Sequence, residues 1–352
     1  MSCVCSSHDW LRLVQRSTGV YVHHGRCLSH LRERLISPRT QLPSLTLFLG
    51  QRRKDVALRY LFPENQIPAG HPSLQLDVDN RTLFADHPFL FAQCDPHITP
   101  LDPVPNDGVR EEIHIHWASP GDRRLSDILL ARVLFLFVDV ICIFADDIGG
   151  LDAVRTSLST WATVGRSASS LEHRPRVLIV AEANGQSVTH DLLDESDFLF
   201  LLMQDRNAME VFSTPSLLHL PGGDLSNMAR HRSLRDELLK AVDLSRRHRK
   251  EDGYLFSAAH LDRFFHCALT HACRTPQLPF DFVQSAHGAN ARGVAHSSHL
   301  TNFLALTSAR GWKHEDQAAF IASTLLVDAY PQESHSRQLS LTRYTAIFVK
   351  KR

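Results

Sequence analysis

An apolar stretch of eighteen residues, 128–145, constrains the fold of this chain more than any other feature. It contains two charged residues, Arg132 and Asp139. A charge near the centre of a membrane-spanning helix costs about 2.5–3.5 kcal/mol, which disfavours a transmembrane interpretation. The apolar residues before Asp139 have helical spacing, and a short β-branched run after it ends at Asp146. We therefore predict a helix followed by a strand that is buried on both faces.

The alternation of helix and strand continues on both sides of this stretch. Helical spacing at residues 151–161 and an apolar run at residues 177–181 complete a βαβ unit, which predicts parallel strands joined by a right-handed crossover. A further helix is predicted at residues 55–61, and further strands at residues 45–49, 74–78, 89–92 and 217–220. The strand at 74–78 alternates apolar and polar residues, so we expect it to expose one face to solvent.

These elements predict three regions. Residues 1–40 form an N-terminal lead that is partly helical. Residues 41–222 form an α/β domain with a doubly wound, mostly parallel sheet of five or six strands, of a degenerate P-loop or Rossmann-like type. Residues 223–352 form a mainly helical C-terminal subdomain, with helices expected at 233–250, 257–272 and 315–329. The second of these is strongly amphipathic, behind Ser257 as N-cap.

The balance of positive and negative charge limits the kinds of partner that this chain is expected to bind. Thirty-eight Lys and Arg balance 38 Asp and Glu, so nucleic-acid binding is not expected as the main function. The seven cysteines form no even framework, and residues 1–13 lack the apolar run of a secretory signal. We therefore expect reduced thiols and a cytoplasmic location. The basic run 246–250 is interpreted as a solvated helix end, with peripheral contact to an anionic membrane as the alternative.

The candidate binding residues follow the predicted strands, because ligands of doubly wound sheets bind beyond the carboxyl ends of the strands. They are Gly50, Arg52, Lys54, Asp95, Asp146 and Asp147. Their layout is that of a P-loop nucleotide-binding domain, in which a phosphate loop is followed by an acidic strand end that holds Mg²⁺.

The P-loop motif itself is incomplete. In GxxxxGK[ST] counted from Gly50, the second glycine, the lysine and the hydroxyl residue are replaced by Asp55, Val56 and Ala57. Two interpretations of the basic residues stay open: Arg52, Arg53 and Lys54 attract an anion to a helix N-terminus, or they form a solvated loop. Two interpretations of the acidic pair also stay open. Asp146 and Asp147 coordinate Mg²⁺, or one of them favours the start of the helix near residue 151.

Other catalytic or metal-binding motifs are weaker. His266, Cys267, His271 and Cys273 form the most metal-like group, but among them only Cys267 and His271 stand four apart, so we assign all four to the flanks of a packed helix. His114 and His116 alternate on an extended segment and carry no stronger signal. The chain contains no Gly-x-Ser-x-Gly motif, and no catalytic residue is assigned.

Four short strings carry a resemblance to a known family. Residues 139–151, 174–180, 280–282 and 298–304 resemble the region that precedes the lipase domain in large fungal patatin-like phospholipase proteins. The resemblance implies a degenerate nucleotide-binding fold and a partner lipase domain with a Gly-x-Ser-x-Gly serine and an aspartate. This chain contains neither element, so no lipase residue is carried over, and the resemblance implies a stand-alone relative or a truncated gene product.

Two functional hypotheses follow. The first is a non-catalytic or weakly nucleotide-binding regulatory module, in which Lys54, Asp95, Asp146 and Asp147 line an eroded phosphate crevice and the helical half contacts a protein partner or the lipase domain. The second is a phosphate-handling, NTPase-like enzyme with an atypical loop. In that enzyme Lys54 holds phosphate, and Asp146 or Asp147 holds Mg²⁺. The regulatory-module hypothesis requires no cofactor other than a weakly bound nucleotide with Mg²⁺.

Overall fold

The computed structural model describes residues 9–67, 73–96, 111–119, 121–122, 124–166, 168, 173–182, 188–221, 225–282, 285 and 295–329. Contacts divide the chain into two units. The first comprises Met1–His248 and Leu255–Phe280, and the second comprises Arg249–Tyr254 and Asp281–Arg352. The described elements of the sheet all lie in the first unit.

Nine strands of the described chain form one sheet in the order β6-β2-β1-β4-β5-β3-β7-β8-β9. The strands are β1 (Asp9–Arg16), β2 (Gly19–His24), β3 (Ser44–Leu49), β4 (Leu74–Val78), β5 (Phe89–Cys94), β6 (Glu111–His114), β7 (Val140–Phe144), β8 (Arg176–Glu182) and β9 (Pro215–Leu220). The described helices of the first unit are α1 (Cys27–Arg34), α2 (Arg52–Leu61), α3 (Leu125–Arg132), α4 (Leu151–Gly165), α5 (Val188–Gln204), α6 (Arg206–Val211), α7 (Asn227–Glu251), whose last residues reach the second unit, and α8 (Ala258–Arg274).

The predicted α/β class is confirmed, and the sheet is mixed. The pairs β3–β5, β3–β7, β7–β8 and β8–β9 are parallel, whereas the other four neighbouring pairs, from β6 to β5, are antiparallel. The parallel strands in chain order are β3, β5, β7, β8 and β9, and their spatial order second-first-third-fourth-fifth is one of the common doubly wound orders. The finer assignment to a P-loop or Rossmann type stays a prediction.

The expected number of strands was too low. Residues 9–24 form a hairpin of β1 and β2 that extends the sheet, and β6 adds a further edge. Arg12, Gln15 and Arg16 interrupt the apolar pattern of β1, which hides this strand in the sequence. Helix α1 follows the hairpin at Cys27–Arg34.

The expectation that β4 exposes one face was also wrong, because all five of its residues are buried. Its polar side chains are buried with partners. Gln75 accepts a hydrogen bond from the amide of Gln93 at 3.0 Å, and Asp77 accepts from Arg34 at 2.9 Å and from Asn65 at 3.0 Å. The side-chain amide nitrogen of Gln75 has no hydrogen-bond partner among the described residues. The other contacts show how a core strand can hold polar residues, since buried polar groups are usually hydrogen-bonded.

One face of the sheet is covered by α2 and α7. Phe48 of β3 and Leu178 of β8 belong to a buried cluster with Leu58 of α2 and with Leu234 and Leu238 of α7. This packing fixes the N-terminal turns of α2 and α7 near the carboxyl ends of the parallel strands, where the candidate site lies.

The amphipathic helix predicted behind Ser257 is α8, and the Ser257 side chain caps it by accepting from His260 N. It belongs to the unit that contains the sheet. Phe265 is fully buried, with its ring centroid 4.2 Å from that of Trp10 in β1 and 5.6 Å from that of Phe137. The apolar face of α8 therefore packs against the N-terminal hairpin.

The second unit contains two described helices, α9 (Ala295–Ala309) and α10 (His314–Ala329). The last predicted helix is thus confirmed at almost the same bounds. Phe303 of α9 stacks on Phe320 of α10 with ring centroids 5.0 Å apart, and Phe320 remains 48% exposed. In the part of the chain that the structure describes, no helix combines the length and apolar character needed to cross a membrane.

Candidate functional site

The turn after β3 is shaped by one glycine. Gly50 has φ +151°, and a Cβ atom at this position would lie 2.8 Å from Oδ2 of Asp147 and 3.1 Å from Cβ of Phe144. Glycine therefore allows both the backbone conformation and the close approach of Asp147. The following helix, α2, begins at Arg52, so Arg52, Arg53 and Lys54 occupy its first turn and not a loop.

The carboxylate of Asp147 occupies the N-terminus of α2. It accepts hydrogen bonds from the backbone N–H groups of Gln51 at 2.7 Å, Arg53 at 3.1 Å and Lys54 at 3.0 Å. These groups have no partner within the helix, and the helix dipole favours a negative charge beside them. An anion bound at this turn would use the same N–H groups, and in this chain they are already taken by the Asp147 carboxylate.

Neither interpretation of Asp147 made from the sequence describes this arrangement. Asp147 caps α2, which starts more than ninety residues earlier in the chain, and not the helix that follows it. That helix, α4, has Gly150 as its N-cap and no side-chain cap. Gly149 and Gly150 make the turn before α4, with φ +103° and +91°.

Asp146 forms an ion-pair cluster across three strand ends. Nη1 of Arg53 lies 3.0 Å from Oδ2 of Asp146 and 2.8 Å from Oε2 of Glu182, and Glu182 N donates to Asp146 at 2.9 Å. Arg230 of α7 approaches the other oxygen of Glu182 at 3.5 Å. The carboxylate of Asp146 is thus held by protein groups at the position where the sequence suggested a Mg²⁺ ligand.

Lys54 and Asp95 also have partners within the chain. Lys54 is buried rather than solvated, at 7% exposure, and its Nζ lies 3.3 Å from Oδ1 of Asp55. Asp95 accepts a hydrogen bond from the side-chain amide of Gln51. The structure therefore brings all six predicted residues to one edge of the sheet, and five of them contact one another or close neighbours; Arg52 is exposed.

A cleft of about 350 Å³ opens beside this cluster. Its lining residues are Arg52, Arg53, Val56, Glu182, Leu220, Arg230 and His231. Three guanidinium groups face one carboxylate here, so the cleft has a net positive charge and is suited to an anion. Its volume falls in the range of small-molecule sites, about 300–1,000 Å³.

His231 and Arg230 reach the cleft from α7. The ring of His231 stacks on Tyr60, with centroids 5.1 Å apart and 12° between the planes, and its Nδ1 lies 2.7 Å from the carbonyl oxygen of Asn227. Burial, together with the charge of Arg230, lowers the pKa of His231, although the contacts with Asn227 and Glu182 oppose this shift. His231 is therefore neutral at pH values near 7.

Arg230 and His231 lie outside the helix predicted from the sequence, which begins at residue 233. The structure begins α7 at Asn227. Arg230 precedes the buried Leu234 and Leu238 at a spacing of four. An extension of the helical pattern by two turns towards the N-terminus would have placed Arg230 close to the sheet.

The four buried cysteines that the structure describes are poor nucleophiles. Burial raises the pKa values of Cys94 and Cys273 to about 12 and raises those of Cys27 and Cys142 further. A thiol with so high a pKa contains almost no thiolate at neutral pH. The five cysteines that the structure describes are free thiols; Cys3 and Cys5 lie outside the described residues.

His266, Cys267, His271 and Cys273, which we assigned to the flanks of a packed helix, form no metal-like cluster with one another among the described residues. Cys273 is buried, His271 Nε2 lies 3.1 Å from the carbonyl oxygen of Leu278, and Cys267 is half-buried. His114 and His116 contact each other edge to face at 4.8 Å between ring centroids. His266 instead lies close to His24 and Glu111, two residues that the spacing rules did not connect to it.

The fold and the site define an α/β protein with a basic cleft at the carboxyl edge of its parallel strands. A comparison with models of protein families finds no match, and a search of curated proteins finds none either.

Proposed function

We propose that this chain is a non-catalytic regulatory or interaction module, and that its α/β domain binds small anions weakly in the basic cleft. The observation that carries the proposal is the position of Asp147. Its carboxylate takes the three backbone N–H groups on which a phosphate loop depends. A bound nucleotide would have to displace a covalently tethered, charged ligand, which always competes at high effective concentration.

The contacts made by Asp146 and Asp147 support the same proposal. Mg²⁺ is usually bound through one or two carboxylates together with substrate phosphates. Asp146 is engaged by Arg53 and by Glu182 N, and Asp147 by the first turn of α2. Mg²⁺-dependent nucleotide binding would require both contacts to break.

The basic cleft supports anion binding of lower affinity. Arg52 is exposed, and Arg230 lies at the wall of the cleft with its Nε donating to the carbonyl oxygen of Pro221 at 2.8 Å. Arginine binds phosphate and carboxylate groups through its planar set of donors. We propose a small phosphorylated or carboxylated metabolite as the class of ligand.

The proposal is tested by calorimetric titration with ATP and GTP, each with and without Mg²⁺. We expect millimolar or weaker binding that Mg²⁺ does not strengthen. Micromolar binding that needs Mg²⁺ and that Lys54→Ala and Asp146→Ala both abolish would contradict the proposal. That result would support the second candidate function.

The second candidate is a phosphate-handling enzyme with an atypical loop, and the three arginines of the cleft favour it. In such an enzyme Arg53 and Arg230 would stabilise charge on a transferred phosphoryl group. Its test is release of phosphate from ATP or GTP, compared between the unchanged chain and Arg230→Ala. Under the preferred proposal neither protein releases phosphate above the rate of the buffer.

The partner is proposed from the resemblance alone. If the chain is related to the region that precedes a patatin-type lipase domain, its partner is such a domain, joined to it or separate. One of the four strings, residues 139–151, forms β7 and the turn that carries Asp147. The reading frame that follows codon 352 tests this relationship. A frame encoding Gly-x-Ser-x-Gly supports it, and an immediate stop codon contradicts the joined form.

A further inference from the structure

Three potential metal ligands meet at the other end of the sheet, where β2, β6 and α8 come together. The register of β2 and β6 places His24 directly opposite Glu111. His266 of α8 lies above this pair, with Nδ1 3.5 Å from Oε2 of Glu111. One ligand atom from each of the three residues lies within 4.8 Å of the others.

His24 has an unsatisfied ring nitrogen. The residue is 8% exposed, and its Nε2 is shielded from solvent with no hydrogen-bond partner among the described residues. The ring packs on Phe265 at 5.7 Å and faces His266 at 6.0 Å between centroids. Buried polar atoms of this kind are rare, and coordination of an ion is one of the few explanations for them.

We propose that His24, Glu111 and His266 form a binding site for a divalent transition-metal ion, with Zn²⁺ as the ion that fits best. Two imidazoles and a carboxylate are a ligand set that zinc uses in proteins, and imidazole favours zinc over Mg²⁺ and Ca²⁺. Zinc bonds of about 2.1 Å in tetrahedral geometry place ligand atoms about 3.4 Å apart. The contact between His266 and Glu111 already has this separation.

The site has one buried and two accessible ligands. The side chains of Glu111 and His266 are 57% and 42% exposed, so an ion can enter from solvent and keep a water molecule as its fourth ligand. Asp262 lies one turn before His266 on α8. Its Oδ2 forms an ion pair with Nη1 of Arg32 at 3.2 Å and accepts a hydrogen bond from Oγ of Ser29 at 3.3 Å. The ion would link the edge strand β6 to α8.

The matched control lies on the opposite face of the same strands. Neighbouring residues of a strand point to opposite faces, and His23 contacts Glu112 there, with Nε2 3.2 Å from Oε2. That pair of residues has a contact similar to that between His266 and Glu111. Glu112→Gln therefore removes the same chemical group as Glu111→Gln, one residue away.

The experiment uses the full chain, stripped of metal with a chelator and then titrated with Zn²⁺ against a chromophoric competitor. We expect one ion per chain in the unchanged protein and in Glu112→Gln. Glu111→Gln and His266→Gln are expected to bind at least about tenfold more weakly, because loss of a hydrogen bond to a metal ligand alone already costs about that much. A Co²⁺-loaded sample should show the visible absorption of a tetrahedral site, which both variants lose.

Far-UV circular dichroism of the metal-free variants checks that they fold. His24→Gln is a third variant, and its substitution lies on β2. Binding of Zn²⁺ at the same affinity in all these proteins would overturn the proposal, and so would absence of stoichiometric binding to the unchanged chain. Loss of binding in Glu112→Gln equal to that in Glu111→Gln would also overturn it. None of these outcomes alters the proposal for the basic cleft, which contains none of these residues.

Discussion

Gly50 and Asp147 determine each other's position: a Cβ atom at residue 50 would lie 2.8 Å from Oδ2 of Asp147. Because residue 50 has no side chain, the carboxylate reaches the three N–H groups at the start of α2. The absence of a side chain at residue 50 thus admits an internal anion at the N-terminus of α2.

Gly50→Ala is expected to destabilise the chain by about 1–3 kcal/mol, because a side chain at φ +151° is strained and also displaces Asp147. Chemical denaturation measures the change. Gly150→Ala is the control, since it has φ +91° but nothing within 4 Å of the place that its Cβ atom would take. If Gly50→Ala loses no more free energy of unfolding than Gly150→Ala, the close approach of Asp147 does not contribute to stability.

Asp147→Ala leaves the three N–H groups of α2 without their acceptor and is expected to cost about 1–3 kcal/mol. Asp147→Asn keeps a neutral acceptor oxygen and should cost less. Asp152→Ala, at an exposed position in the first turn of α4, is the control for loss of a carboxylate. Equal stabilities of Asp147→Ala and Asp152→Ala would contradict the capping role.

Arg230→Ala is expected to weaken binding of inorganic pyrophosphate to the cleft by roughly tenfold, the effect of one charge-assisted hydrogen bond. Calorimetry or competition with a fluorescent anion measures the change. Lys240→Ala removes a cation from the same helix at a position paired with Glu237, away from the cleft lining. If both variants lose affinity equally, binding reflects overall charge and the cleft is not the site.

The stability of the chain is expected to depend on His231 at mildly acidic pH. Its folded pKa is lowered from 6.5 by burial, so the unfolded chain takes up a proton first as the pH falls. Stability is therefore unaffected by this group above the unfolded value and declines as pH falls below 6.5 towards the folded pKa. Denaturation of His231→Gln across this range should show a smaller decline than the unchanged chain.

His248→Gln provides the comparison for that series, because His248 is exposed on the same helix. We expect its stability to change with pH as in the unchanged chain. If stability declines equally with falling pH in His231→Gln and His248→Gln, His231 is not the source of the decline.

The parts of the fold that the sequence predicts are those with strong local patterns. β7 and β8 are apolar runs between glycine or charged residues, and α8 has a complete apolar stripe, so both signals are visible without tertiary information. β1 and β6 depend on their neighbours in the sheet. They contain charged residues such as Arg16 and Glu112, which pair with each other only after folding.

The sequence predicts where the candidate site lies in the sheet, but it does not predict which contacts the residues of the site make. The rule that ligands bind at carboxyl ends of parallel strands located Gly50, Asp146 and Asp147 correctly at one edge. Their actual partners are more than thirty residues away in sequence, as for Asp146 with Glu182, or more than ninety, as for Asp147 with Gln51. No spacing rule connects such residues, so the capping contact emerges only from the folded chain.

Binding of inorganic phosphate to Asp147→Ala tests the central claim most directly. If the carboxylate fills a phosphate position, its removal exposes three N–H groups beside Arg53, and phosphate should bind at least about tenfold more tightly than to the unchanged chain. Phosphate should also restore part of the stability that this variant loses. Equal phosphate affinity in the two proteins, or tighter binding to the unchanged chain, would contradict the account.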